Sequence, residues 1–133
     1  MTKIFVNGVF DLLHWGHLTL LQQARSWGDH LHVAIDSDRR VRELKGPDRP
    51  IRNQAERQAL LEALRCVDQV TVFDSDQGLR DVIAEYAPDI MVKGSDYRDR
   101  AIIGGDLCGS IRFVNTLDGH STTSTIARIA AGR

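Results

Sequence analysis

An α/β fold is predicted, with five parallel strands in one doubly wound sheet and helices on both of its faces. Short β-rich runs alternate with amphipathic helical stretches from one end of the chain to the other, and capping or turn residues punctuate them. Strands joined by helical crossovers run parallel, because each connection returns the chain to the same end of the sheet and does so right-handedly. At 133 residues the chain fits one domain, residues 1–133, with no repeat, low-complexity tract or linker to divide it.

The elements follow in order. The run KIFVNG predicts the first strand. From His17 onward, Leu18, Leu21, Ala24 and Trp27 recur at helical spacing, and Gly28 is expected to end that helix. HLHVAI predicts the second strand. Asn53, followed three residues later by Glu56, resembles a capping box opening the helix QAERQALLEALR. QVTVF is the third strand, LRDVIAEYA a helix closed by Pro88, DIMVK the fourth strand, SIRFV the fifth and STTSTIARIAA the last helix. In such sheets ligands gather outside the carboxyl ends of the strands, where the winding reverses. The stretch FDLLHWGHLTLL follows the first strand and KGSD closes the fourth, so both are expected to face one crevice.

Composition narrows the function classes. A net charge of -1 gives no global pull toward nucleic acid or an anionic membrane, so neither is an expected partner. No apolar run approaches the ~18 residues of a membrane helix. Cys66 and Cys108 lack metal or redox spacing, and the first residues lack the series of a signal peptide, so a cytoplasmic setting is expected.

His14 and His17, with Gly16 between them, stand where a strand hands over to a helix. A metal site needs further ligands, and His30, His32, Asp36 and His120 show no motif spacing. One imidazole could instead cap a turn while the other packs at the helix start. Phosphate binding is the sharper reading. The first turn of a helix offers unpaired N–H groups and the positive end of the dipole, two imidazoles add directed donors, and Gly16 allows close approach. A second concentration supports an anionic ligand: between Arg39 and Arg57 lie seven basic residues, Arg39, Arg40, Arg42, Lys45, Arg49, Arg52 and Arg57, against Glu43, Asp48 and Glu56. The stretch reads as a net positive loop and helix entrance; a solvated charged face would look similar, but Lys45, on a loop flexed by Gly46, is suited to reach a phosphate as a point charge. In DGHSTTSTI, Gly119 breaks the chain, and Ser121, Thr122 and Thr123 supply hydroxyls and amides at a second helix start.

Together GVFDLLHWGH, KG before ERQALLEAL, VKGSDY and DGHSTT, in this order and spacing, resemble the HxGH nucleotidyltransferase superfamily. Within it the chain is similar to the small bacterial cytidylyltransferase-like branch, which holds glycerol-3-phosphate cytidylyltransferases and the heptose 1-phosphate adenylyltransferase domain. The resemblance runs over nearly the whole chain and implies a Rossmann-like domain. It also implies transfer of a nucleotidyl group from a nucleoside triphosphate to a small phosphorylated acceptor, with release of pyrophosphate. The acceptor phosphate would attack the α-phosphorus with no covalent enzyme intermediate. On this resemblance His14, His17 and Lys45 are the catalytic residues, Thr122 and Thr123 hold the leaving pyrophosphate, and Ser121 is counted with them among the nucleotide-binding residues. Gly8, Val9 and Phe10 pass under the nucleotide, Gly94 and Asp96 lie near base and ribose, and Asp11 and Arg57 lie on the metal and acceptor side. Mg2+ is implied, bridged by nucleotide phosphates rather than held in a protein cage, as is a homodimer.

The base is read from conflicting details. Thr116 stands where glycerol-phosphate cytidylyltransferases carry a phosphate-clamping arginine, and KGSDY and SDRRVRELKG are similar to the heptose adenylyltransferases. Trp15, Arg65 (counted among the nucleotide-binding residues) and the short segment between Tyr97 and Ser121 are similar to the cytidylyltransferases. The balance is read as ATP with a heptose-phosphate acceptor. The alternative is CTP with glycerol 3-phosphate or another small phosphate or phosphonate. From other classes, a non-catalytic nucleotide-binding regulatory module would be expected to lose a histidine or the lysine, and a metal-dependent hydrolase would depend on zinc and make no pyrophosphate.

Overall fold

The computed structural model describes residues 1–115 and 121–132. Thr116, Gly119 and His120, which entered the sequence reading, lie outside the described residues. Five strands, β1 (Lys3–Gly8), β2 (His30–Asp36), β3 (Gln69–Phe73), β4 (Ile90–Gly94) and β5 (Ser110–Val114), form one sheet in the order β3-β2-β1-β4-β5. Every pairing is parallel. The expected doubly wound fold is therefore the observed one. The order reverses between β1 and β4, which places the predicted crevice above the middle of the sheet.

Among the described residues α1 (Trp15–Ser26), α2 (Asp38–Lys45), α3 (Gln54–Glu62) and α4 (Asp76–Tyr86) connect the first four strands, 3-10 turns at Ser95–Tyr97 and Gly105–Leu107 lie between β4 and β5, and α5 (Thr122–Ala130) follows β5. Alternation along the strands sends Ile4, Val6, Val33 and Val92 toward Leu21 and Ala24 of α1 and Leu61 of α3. Phe5, Ala34, Phe73 and Met91 point the other way, toward Leu79 and Ile83 of α4. Burial on both faces explains why β2 is buried from Leu31 to Asp36. No helix among the described residues is long and apolar enough to cross a membrane.

Several boundaries depart from the sequence reading. The segment 38–45 read as a basic loop but is helical, because Ser37 caps Arg40 N–H at 3.2 Å, Arg39 pairs with Glu43 one turn on, and Val41 alone reaches the core. With one buried residue, α2 has no apolar stripe to betray it. Helix α4 starts at Asp76, before Leu79, with Ser75 accepting from Gly78 N–H at 2.9 Å. Helix α3 stops at Glu62, three residues short of the expected end. Gly28 does not act as a left-handed cap; Trp27, in a right-handed conformation, closes α1. Its role is space: a Cβ on Gly28 would lie 2.6 Å from Ile4 Cγ1 and 2.7 Å from the Thr2 carbonyl oxygen.

Candidate active site

A cavity of about 580 Å³ opens over the carboxyl ends of the strands, and His14, His17, Lys45, Gly94, Asp96 and Thr122 are among its lining residues. The turn from β1 into α1 forms its centre. Phe10 and Leu12 take left-handed backbone angles, φ 53 and 51, at a cost of roughly 1 kcal/mol or more each for side-chain-bearing residues. Surrounding contacts hold them there. The Phe10 ring is buried in the core, and the buried Asp11 carboxylate accepts the amides of Ile51 at 2.7 Å and Arg52 at 3.0 Å. The Thr122 hydroxyl donates to the Asp11 carbonyl.

The two histidines build a reciprocal cap. His14 Nδ1 accepts from Gly16 N–H at 3.0 Å, and His17 Nδ1 accepts from His14 N–H at 3.2 Å. A nitrogen that accepts carries no proton, so each ring keeps its proton on Nε2, away from the helix turn. The rings stack at 3.8 Å between centroids, with Phe10 5.2 Å from His17. Burial first, then the neighbouring His14, lowers the His17 pKa to about 4, against the opposing pull of Asp11. At neutral pH His17 is an uncharged N–H donor. Capping and anion binding, alternatives in the sequence, are therefore compatible in His17, whose Nδ1 serves the helix while its Nε2–H lies on the other side of the ring.

Helix α5 starts beside this turn. Ser121 Oγ accepts from Ser124 N–H at 3.0 Å, closing a capping box, while the Thr122 hydroxyl binds the β1–α1 turn. The starts of α1 and α5 are thus tied at one rim, two positive dipole ends on one cavity. Thr123 and Ser121 also line it. Lys45, the last residue of α2, is exposed and lines the same cavity, with Gly46 (φ 103) ending the helix after it. Gly8, Val9, Gly94 and Asp96 also line the cavity.

Two predicted site residues are not brought there. Arg57 is only 1% exposed and does not line the cavity. Its guanidinium donates to the carbonyls of Val9 (2.9 Å), Asp36 (2.9 Å) and Arg52 (3.0 Å) and to the Asp38 carboxylate (2.9 Å). It braces the turns behind the site instead of meeting the acceptor. Arg65 is exposed in the turn before β3, at the amino-terminal end of the strands, because α3 ends early. That is the sheet edge opposite the cavity. Asp11 lines the cavity, but the amides of Ile51 and Arg52 occupy its two oxygens, so its observed work is holding the turn.

The sequence reading missed Asn7, Asp36 and Lys93, all in the cavity wall. Lys93 is 8% exposed, donates to Asn7 Oδ1 at 2.8 Å, and lies 5.0 Å from the Tyr97 ring centroid. Burial lowers its pKa to about 8, opposed by Asp36, Asp96 and Cys108. A cation closing the apolar run DIMVK was the available signal. Arg40 and Arg49, read only as members of a basic segment, also line the cavity; Arg40 pairs with Asp36 at 3.0 Å, and Arg49 Nε lies 3.7 Å from Asp11 Oδ2 and has no hydrogen-bond partner among the described residues.

Comparison with known proteins bears on family and fold. The family model described as cytidylyltransferase-like matches residues 5–110. The bifunctional protein HldE of Hyphomonas neptunium is 47% identical over 133 residues, covering 97% of this chain and 27% of the relative. That of Syntrophotalea carbinolica is 46% identical over 132 residues, covering 96% and 27%. The chain thus spans a little over a quarter of the length of these curated relatives. Among solved structures, a lipopolysaccharide core biosynthesis protein from Thermoplasma volcanium aligns with a TM-score of 0.74 at 27% identity, covering 89% of this chain and 99% of that one. A pantothenate synthetase from Thermus thermophilus, at 17% identity, TM-score 0.62, and coverage of 96% and 61%, shares the fold.

Proposed function

The chain belongs to the cytidylyltransferase-like family of nucleotidyltransferases, and from that membership we propose that it moves AMP from ATP to the phosphate of a heptose phosphate, releasing pyrophosphate. The supporting observation is the joining of two helix starts at one cavity rim, that of α1 with its paired histidines and that of α5, on a cavity that Lys45 also lines. Phosphoryl displacement asks for in-line positioning and neutralisation of growing charge more than for a covalent nucleophile. An acceptor phosphate oxygen forms the new P–O bond at the α-phosphorus as the bond to pyrophosphate breaks, and no proton need be removed from a phosphate dianion. His14 and His17 donate to oxygens around that phosphorus, Lys45 balances the added charge, and the start of α5 receives the pyrophosphate. The adenylyl choice over the cytidylyl one is supported by the likeness to bifunctional HldE proteins, since the heptose enzyme that the sequence resembles often carries an attached sugar kinase.

Mg2+ is part of the proposal: brought in with the nucleotide, it would supply charge neutralisation at the phosphates. A homodimer and a cytoplasmic setting rest on the resemblance and on composition; light scattering checks the first, and a monomer at every concentration removes it.

Pyrophosphate release is expected only when a nucleoside triphosphate and a phosphorylated acceptor are both present, with ATP and a heptose phosphate outperforming CTP and glycerol 3-phosphate. Pyrophosphate formed with water alone overturns the transferase reading. A preference for CTP overturns only the choice of base.

A further inference from the structure

We propose that the lobe of the cavity on the α4 side of the sheet, floored by Asn7, Asp36 and Lys93, receives the acceptor, with Lys93 binding its phosphate. The inference rests on the nucleotidyltransferase reading and adds to it where the second substrate lies and which residue selects it.

Strand alternation divides the cavity. Phe5, Ala34 and Met91 face α4, so Asn7, Asp36 and Lys93, each two residues further along its strand, face the same side at the carboxyl edge. The 2.8 Å bond from Lys93 Nζ to Asn7 Oδ1 joins β4 to β1 across this floor. His17 lies on the other side, against Phe10 of the α1 face. An in-line displacement needs the attacking oxygen opposite the leaving pyrophosphate. With pyrophosphate at the start of α5, the attacking phosphate belongs in the α4-side lobe.

The chemistry of the floor fits that occupant. An ammonium has three N–H donors, and Lys93 uses one on Asn7 among the described residues while remaining 8% exposed. Burying such a group without acceptors is costly. A stability role alone does not call for it, since an apolar side chain of similar volume would fill the place as well or better. A phosphate dianion would supply the missing acceptors, and the cation would offset its repulsion from the triphosphate. Asp36, held by Arg40, and Asn7 are suited to hydroxyl groups, and Leu79 and Ile102 give the lobe apolar wall for a sugar ring. A phosphorylated polyol or sugar is the class this lining takes.

The test compares wild type with Lys93→Met, Lys93→Gln and Lys93→Arg in steady-state pyrophosphate assays with ATP and heptose 1-phosphate, and measures ATP binding by calorimetry without acceptor. Lys93→Met and Lys93→Gln are expected to raise the acceptor KM at least tenfold while the KM and Kd for ATP stay within twofold; Lys93→Arg recovers part of the loss. Lys93→Gln can still bond Asn7, so it reports even if Lys93→Met does not fold. If wild type turns over and both variants leave the acceptor KM within twofold, or shift ATP as much as acceptor, the subsite is wrong and the transferase reading stands. A wild type that releases no pyrophosphate with any phosphorylated acceptor sinks the transferase reading and the subsite with it.

Discussion

His17 performs two jobs with one ring, and they separate by mutation. His17→Ala removes an Nε2–H donor beside the proposed reacting phosphorus, and turnover should fall about a hundredfold or more. It also removes half of the α1 cap, at a stability cost of about 1 kcal/mol. Near-normal turnover with a slightly lower Tm would leave the residue only its capping role. His17 and His32 also set a pH dependence. Burial is the leading cause in both, aided by a neighbouring histidine, and each pKa is lowered to about 4. His32, with its Nε2 2.9 Å from Thr71 Oγ1, leaves Nδ1 unpartnered among the described residues. Unfolded histidines near 6.5 bind protons that these folded rings refuse. The stability they contribute is therefore complete above pH 6.5 and is lost as pH falls toward 4, at about 1.4 kcal/mol per pH unit for each ring. Denaturant titrations of His32→Gln should show a shallower loss over that window; an unchanged slope would mean the ring protonates without cost.

At the scale of elements, Arg57 connects what the sequence leaves far apart. From α3 it binds the carbonyls at the ends of β1 and β2 and the carboxylate at the start of α2. Arg57→Ala should lower the unfolding free energy by about 3–5 kcal/mol, by stranding Asp38 and several buried carbonyls. A loss under 1 kcal/mol in urea unfolding would show that water replaces the guanidinium at little cost. The sequence marked Arg57 as a site residue on likeness alone, and no local pattern could say that its head group turns inward. Helix α2 is the converse case. Its eight residues carry strong charge and a single buried valine, so the stripe that reveals α1 and α4 is missing, and Lys45 reaches the cavity from a helix end instead of a loop.

For the whole molecule, the cavity depends on α1 and α5 meeting although more than a hundred residues separate their starts. The Thr122 hydroxyl on the Asp11 carbonyl ties them without ligand, and a bound triphosphate would tie them more strongly. ATP at a hundred times its Kd should add about 2.7 kcal/mol of stability. Thr122→Val should weaken ATP binding and reduce that gain, as read by calorimetry and melting; full affinity in the variant would show the two helix starts are aligned by other contacts. The five strands, their parallel crossovers and the two caps were legible by themselves, because alternation, helical periodicity and capping chemistry act over a few residues, whereas the order of the strands in the sheet was not. The imidazoles, the hydroxyls and Lys45, which line one cavity, were legible as candidate residues for the same reason. Only the tertiary structure decided which of the basic residues face the crevice: Arg57 folded inward, Arg65 left at the opposite sheet edge, and Lys93, unremarked at the end of an apolar run, buried in the cavity floor. The direction a long charged side chain takes is set by partners distant in the chain, and local sequence carries no record of them.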